Sequence, residues 1–202
     1  MIDFLATFIF FFAVIDPIGT VPVFIAVTQK FDNAARRKIA LYATLTSAAM
    51  LIFFVVAGEL ILTAMGIPLS AFQIAGGIVL FLFALSMIFG ESKPDAEVKL
   101  AQTHNDTAVF PLAVPSIASP GAMLGAVILT ENSRFNIMEQ MQTVGMMLLV
   151  LFIVYILMLG SNFIIRIIGN SGASVVSRVM GLILAAVATT NTLGGIKLYF
   201  EL

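Results

Sequence analysis

The stretch FLATFIFFFAVIDPIGTVPVFIAVT, residues 4–28, is uncharged except for Asp16, which stands near its centre together with Pro17, Gly19 and Pro22. Its length exceeds the ~20 apolar residues that a bilayer core requires, so it reads as a membrane span. Proline removes a helical hydrogen bond and pushes the preceding residue out of helical geometry, so the span is expected to be broken in its middle.

The rest of the chain has the same solvent in view. Of 202 residues 60% are hydrophobic and 10% charged, and the mean hydropathy is +1.10, which excludes an ordinary soluble domain. Hydropathy and helix breakers divide the sequence into six spans: 4–28, 39–64, 70–89, 109–130, 141–166 and 175–199. The connectors are too short for a soluble domain, and the expected architecture is an all-α polytopic protein with residues 1–202 as one membrane domain. The opening MIDFLATF has neither a basic region nor a small-residue cleavage site, so the first span is expected to be retained.

Charge sets the expected orientation. Lys30, Arg36, Arg37, Lys38, Lys93, Lys99, Arg166 and Arg178 fall on the side of loops one, three and five, whereas Arg134 and Lys197 fall on the other. That bias makes the first side cytoplasmic and places both termini outside, with the basic residues serving first as topological anchors. With no cysteine and His104 as the sole histidine, in a hydrophilic loop, disulfides and Cys/His metal sites are disfavoured, and no cofactor is expected. The near-zero net charge gives no reason to expect a nucleic-acid partner.

The two halves of the chain are similar. Pro17 and Pro22 have the spacing of Pro115 and Pro120 at an offset of 98; Gly58 matches Gly160 at 102; Gly77 matches Gly181 at 104, within AGGIVLFLFAL and VMGLILAAVAT. A repeat of three spans must re-enter the membrane inverted, so residues 1–92 and 105–202 read as a 3+3 inverted-topology repeat joined by ESKPDAEVKLAQTHND, with discontinuous helices 1 and 4.

Asp16 lies about 12 residues into its span, ~18 Å at helical rise, near the middle of a ~30 Å core. Asp16-Pro17 and Ser119-Pro120 both have the form of an N-cap followed by proline at the first helical position. Each should start a half-helix whose free N–H groups attract an anionic group, with Gly19 and Gly121 allowing close approach to the backbone. Asp16 has three readings: a cap, a group that takes up a proton or cation, or a partner for the amine of a zwitterion. Pro17, Pro22, Pro115 and Pro120 are read as helix breaks, two to each segment, with packing kinks as the bland alternative. Thr20 and Ser116 lie beside the breaks, and Thr189 and Asn191 in the polar run TTNT of span six read either as cavity wall or as hydroxyls and an amide bonded within the helix bundle. Glu59, Glu131 and Asn132 read as interfacial groups, and the small-residue faces suggest close helix contact and a homo-oligomer of undetermined number.

These segments resemble the MarC family of six-span prokaryotic membrane proteins, which includes SnatA-type neutral amino acid transporters and is similar to the wider LysE group of exporters. The residues that carry the resemblance are Asp16-Pro17-Ile18-Gly19-Thr20-Val21-Pro22-Val23-Phe24, AGGIVLF at 75–81, PLAVPSIASPG at 111–121 and RVMGLIL at 178–184. The resemblance implies transport of small neutral amino acids of the glycine and alanine class across the cytoplasmic (inner) membrane. Two departures lie near the expected site: Ser119 stands where many relatives carry glycine, and Thr190 where glutamine is frequent.

The leading expectation is therefore a secondary transporter coupled to H+ or Na+, with substrate-binding residues Asp16, Gly19, Thr20, Ser116, Ser119, Gly121, Thr189 and Asn191, and Asp16 also coupling the ion. The alternative is an exporter of an ion, a metal or another small solute. No P-loop is present for direct ATP coupling, and no clustered nucleophile and base suggests an enzyme. A non-transporting partner subunit is the remaining class.

Overall fold

The computed structural model describes residues 3–89, 108–132 and 134–201, and these are helical throughout, with no strand among them. The helices are α1 (Phe4–Ile15), α2 (Pro17–Thr28), α3 (Asn33–Ala64), α4 (Leu69–Phe89), α5 (Ala108–Ile117, π-helical), α6 (Pro120–Ile128), α7 (Ile137–Leu159) and α8 (Ser161–Tyr199). The whole linker joining the two expected repeats, with Lys93, Lys99 and His104, lies outside the described residues.

Five segments are long and apolar enough to cross a bilayer: Phe4–Thr28, Asn33–Ala64, Leu69–Phe89, Ile137–Leu159 and Ser174–Tyr199. The remaining expected span, the fourth, 109–130, is present as two short pieces, α5 and α6, neither of which reaches that length alone. The cause is its prolines. Phe110 and Val114, each followed by proline, have extended backbones (φ −132°, ψ 126° and φ −131°, ψ 129°), as steric clash with the proline ring requires. The winding stays wide at the exit, where the Ala118 amide donates to Ala113 O at 2.8 Å, five residues back.

Pro22 does not act as a break. It is the sixth residue of α2, and the helix continues through it to Thr28, with the missing N–H leaving the carbonyl of Ile18 without its usual partner. The last long element also differs from expectation: α7 ends at Gly160, and the bend that follows is at Gly169, whose φ 70° and ψ 170° are accessible essentially to glycine alone. At the other end α7 starts at Ile137, inside the expected connector, because Asn136 and Glu139 form a capping box.

The broken segments form the core. Phe11, Val14, Ile15, Val21 and Phe24 of α1–α2 are fully or almost fully buried, as are Leu112, Ile117, Ala122 and Ala126 of α5–α6. By contrast the 32-residue α3 buries only a stripe from Ile39 to Gly58, and large apolar side chains such as Val56, Leu60, Phe152 and Leu182 are exposed. This is the distribution a bilayer demands: intact helices face lipid with their backbone groups satisfied, and interrupted backbone is shielded by protein.

The most extensive packing is between α4 and α8, and it is made by small residues. A Cβ on Gly77 would overlap Thr192 Oγ1 and lie 3.0 Å from Ala188 O; a Cβ on Gly181 would lie 3.0 Å from Ala84 O. These contacts are reciprocal, because the offset of 104 that carries Gly77 onto Gly181 also carries Ala84 onto Ala188.

Candidate functional site

Asp16 both ends α1 and begins α2. Its backbone is left-handed (φ 48°, ψ 68°), a conformation that Asp tolerates better than most side chains. Its N–H donates to Phe12 O at 3.1 Å, closing the last turn of α1, and its carbonyl accepts from Thr20 N at 3.0 Å, opening α2. The side chain completes the junction: Oδ1 accepts from Gly19 N at 2.9 Å and Oδ2 from the Ser177 hydroxyl at 3.1 Å. Asp16 is only 4% exposed, and burial of an acidic residue in the middle of a spanning segment is a costly placement.

Gly19 is required by this geometry, since a Cβ there would overlap Asp16 Oδ2 and crowd Ser177 Oγ. Thr20, fully buried, donates from Oγ1 to Asp16 O at 3.0 Å and reaches Ser116 Oγ at 3.5 Å. That contact crosses from the first break to the second.

The second break is built in the same way. Ser119 caps α6, accepting from Ala122 N at 3.2 Å, with Pro120 at the first helical position. Its hydroxyl donates to Val14 O at 2.8 Å, a carbonyl that α1 leaves unpaired at its C-terminal turn. The Ser119 hydroxyl thus supplies a hydrogen bond that the broken backbone has lost at Val14 O. The Ser47 hydroxyl of α3 lies 2.8 Å from Ala43 O of its own helix and 3.3 Å from Ala113 O, inside the distorted α5. The two capped prolines are Pro17 and Pro120, at an offset of 103, close to the offsets of 102 and 104 between the matched glycines, whereas the sequence comparison paired Pro17 with Pro115 at 98.

Asp16, Gly19, Thr20, Ser116 and Ser119 are thus brought together in one buried cluster. Gly121 borders it, but its absent side chain makes room for Leu80 and Val14 and so seats α6 on α4 and α1. Thr189 and Asn191 are not brought to the break. Ser177, which touches Asp16, precedes them on α8 by 12 and 14 residues, ~18 and ~21 Å at helical rise. Thr189 is exposed with its hydroxyl bonded to Ala185 O at 2.8 Å, Thr190 bonds Ala186 O at 2.9 Å, and Asn191 is half-buried. The hydroxyls follow the bland reading, back-bonded to their own helix.

Ser177 and Ser47 were not singled out by the sequence reading. One signal for Ser177 exists: the offset of 104 aligns it with Gln73 of α4, and both are buried polar residues in apolar helices. Glu59 and Glu131 do hold positions at helix ends, Glu59 Oε2 accepting from Asn132 N and Nδ2 at 2.9 Å and Glu131 pairing with Arg134 at 3.0 Å.

Cavities lie on either side of the cluster. One of about 390 Å³ at the N-terminal end is walled by Asp3, Thr7, Phe10, Phe135, Thr143 and Val187. Another of about 190 Å³ at the opposite end is walled by Phe24, Arg36, Arg37, Met158, Ser161 and Asn162 among others. Among the described residues, none of Asp16, Gly19, Thr20, Ser116 and Ser119 is part of either wall. Among the described residues no group of His, Cys, Asp and Glu is placed to hold a metal ion.

A family model described as MarC family integral membrane protein matches residues 1–200. Similar curated proteins include a UPF0056 membrane protein of Archaeoglobus fulgidus, 34% identical over 196 residues that make up 96% of this chain and 92% of that protein. Another, of Methanocaldococcus jannaschii, is 33% identical over 197 residues, 96% of each chain. One of Buchnera aphidicola is 29% identical over 201 residues and covers both chains in full. No solved structure matches the chain.

Proposed function

The chain belongs to the MarC family of integral membrane proteins, and from that premise we propose that it is a secondary transporter of small neutral amino acids driven by H+ or Na+. The observation that carries the reading is the meeting of two capped half-helix starts, Asp16-Pro17 and Ser119-Pro120, in one buried cluster linked by Thr20–Ser116 and Ser119–Val14. First-turn N–H groups such as those of Ile18 and Gly121 have no carbonyl in their own helix, and with the dipoles of α2 and α6 they favour a carboxylate. Asp16 supplies the opposite charge for an ammonium group or a coupling cation. A zwitterion with a small side chain suits both poles within so confined a cluster.

The inverted repeat belongs to the same proposal. Its support is the reciprocal pairing of Gly77 with Ala188 and Gly181 with Ala84, and the shared offset of 103 between the two capped prolines. In this scheme α5 and α6 together make the sixth span, both termini face outward, and the basic end lies in the cytoplasm of a prokaryotic cell. The cavities beyond Phe10 and Phe24 are the two vestibules, and the closed cluster between them is an occluded arrangement. The hydroxyls at the break are engaged in holding helix ends, which favours transport over enzymatic chemistry.

One observation favours ion export as the second reading: the polar side chains at the break present only oxygen, from Asp16, Thr20, Ser116, Ser119 and Ser177, which suits a hard cation. Purified protein in liposomes distinguishes the two. Uptake or release of labelled glycine or alanine under a H+ or Na+ gradient supports the first; cation flux with no amino acid movement under either gradient replaces it with the second.

A further inference from the structure

Arg36 and Arg37 stand in the second turn of α3 and help to wall the 190 Å³ cavity at the basic end. Arg36 Nη2 donates to Ser161 Oγ and Asn162 Oδ1, both at 3.3 Å, and its guanidinium lies 5.5 Å from the Phe24 ring centroid. These partners are neutral. Among the described residues no carboxylate lies within ion-pair distance of either guanidinium. The nearest acid in sequence, Asp32, is engaged in capping α3, accepting from Ala35 N at 2.8 Å.

Guanidinium groups stay protonated at every physiological pH, so the cavity holds two permanent positive charges, reinforced by the N-terminal dipole of α3. Their planar donor sets match oxyanions of phosphate or carboxylate type. The rest of the wall combines polar residues, Asn33, Ser161 and Asn162, with the apolar Met158 and Leu159. Leu159 and Phe163 are also exposed on the outer face of the bundle, so the cavity adjoins apolar surface of the kind that meets lipid tails. Phe24 closes its inner side; it is 1% exposed and lies seven residues past Pro17, ~10 Å along α2 from the break.

We infer that the Arg36–Arg37 cavity is an oxyanion-binding site, filled either by the phosphate of an anionic lipid headgroup or by the carboxylate of a solute approaching the break from this end. The carboxylate source rests on the transport reading; the phosphate source stands without it.

The full-length chain would be compared with Arg36→Gln/Arg37→Gln and with Lys30→Gln/Lys38→Gln, which removes the same charge from neighbouring positions. Three probes are read: retention of phosphatidylglycerol against phosphatidylcholine by native mass spectrometry from mixed nanodiscs, and titration with inorganic phosphate and with alanine in detergent. The arginine pair should weaken binding of phosphate, and of phosphatidylglycerol or alanine, by about ten- to a hundredfold, the loss of one or two charge-assisted hydrogen bonds, while the lysine pair changes it by less than about threefold. Loss confined to the lipid among the two natural sources identifies the headgroup, and loss confined to alanine identifies the solute. Failure of amino acid transport in liposomes overturns the transport reading and leaves the lipid and phosphate arms in force. Equal losses from both pairs would mean generic surface charge, and either that result or unchanged binding in the arginine variant overturns the site. Should the double variant not fold, Arg37→Gln alone, at an exposed position, is read by the same criteria.

Discussion

The Ser177 hydroxyl donates to Oδ2 of Asp16 across 3.1 Å, tying the start of α2 to a helix 161 residues away in sequence. With Gly19 N on Oδ1, the carboxyl is fixed by one donor from its own half-helix and one from α8. A cap needs only the first of these. The second couples the orientation of the carboxyl to the position of α8, so movement of α8 relative to α2 changes the hydrogen bonding of Asp16. Under the transport proposal this is where a rocking motion and the state of the coupling group meet.

Asp16→Asn separates capping from coupling. Asparagine tolerates the left-handed backbone, accepts from Gly19 N through Oδ1, can keep the Ser177 contact only with its direction reversed, Nδ2 donating to the hydroxyl oxygen, and is among the best N-caps. The variant should therefore melt within a few degrees of wild type and lose gradient-driven uptake. Asp16→Ala loses a cap worth ~1 kcal/mol and places a Cβ-bearing residue without local hydrogen bonding in a left-handed conformation costing about 1–2 kcal/mol, so it should be visibly destabilised. Thermal melting with liposome flux on the same preparations checks both, and full coupled transport by Asp16→Asn would remove Asp16 from the mechanism.

Gly19→Ala is expected to be the most disruptive single methyl group near the site. Its Cβ would overlap Asp16 Oδ2 and press on Ser177 Oγ, so the carboxyl must leave at least one of its donors. Overpacking of this kind costs about 1–3 kcal/mol. Ser177→Ala removes the tie to α8 and keeps the cap, so it should cost less stability, about 1 kcal/mol, while still lowering transport. A Ser177→Ala protein with wild-type flux would confine that hydroxyl to packing.

The helices and their breaks were legible because apolar run length and proline act locally. Span lengths follow from bilayer thickness, and Asp16-Pro17 and Ser119-Pro120 each carry a cap and a helix start within a few residues. Pro22 was misread because spacing alone does not tell a proline that opens a gap from one tolerated in an early turn. The placement of Thr189 and Asn191 failed for a different reason. Their polarity is visible in sequence, but their depth relative to Asp16 depends on how α8 docks, and Ser177, ~18 Å away from Thr189 on that helix, is the residue that docking selects. Long-range hydroxyl-to-carbonyl bonds such as Ser119 to Val14 leave no local sequence pattern.

Gly77 of α4 and Gly145 of α7 should respond in opposite directions to the same substitution. At Gly77 a methyl group meets Thr192 Oγ1 and two backbone atoms of α8 at 3.0 Å, neither of which is the free end of a flexible chain. Gly77→Ala should therefore lower the melting temperature through about 1–3 kcal/mol of strain at the α4–α8 contact. Gly145 in α7 has open space where its Cβ would be, so Gly145→Ala should be neutral or stabilising by up to about 1 kcal/mol from helix propensity. Equal effects at the two sites would contradict the close packing of α4 on α8.

Orientation can be read directly, because the chain contains no cysteine and any introduced thiol is unique. Lys38→Cys lies on exposed surface at the basic end of α3, and Arg134→Cys on exposed surface near the start of α7. If α5 and α6 jointly make a sixth span, these positions lie on opposite sides of the membrane. In intact cells a membrane-impermeant maleimide should label Arg134→Cys and spare Lys38→Cys, and permeabilisation should expose both. Labelling of both positions before permeabilisation would reject the opposed sides. The reverse pattern would retain the six spans and invert them, placing the Arg36–Arg37 cavity outside and the termini in the cytoplasm.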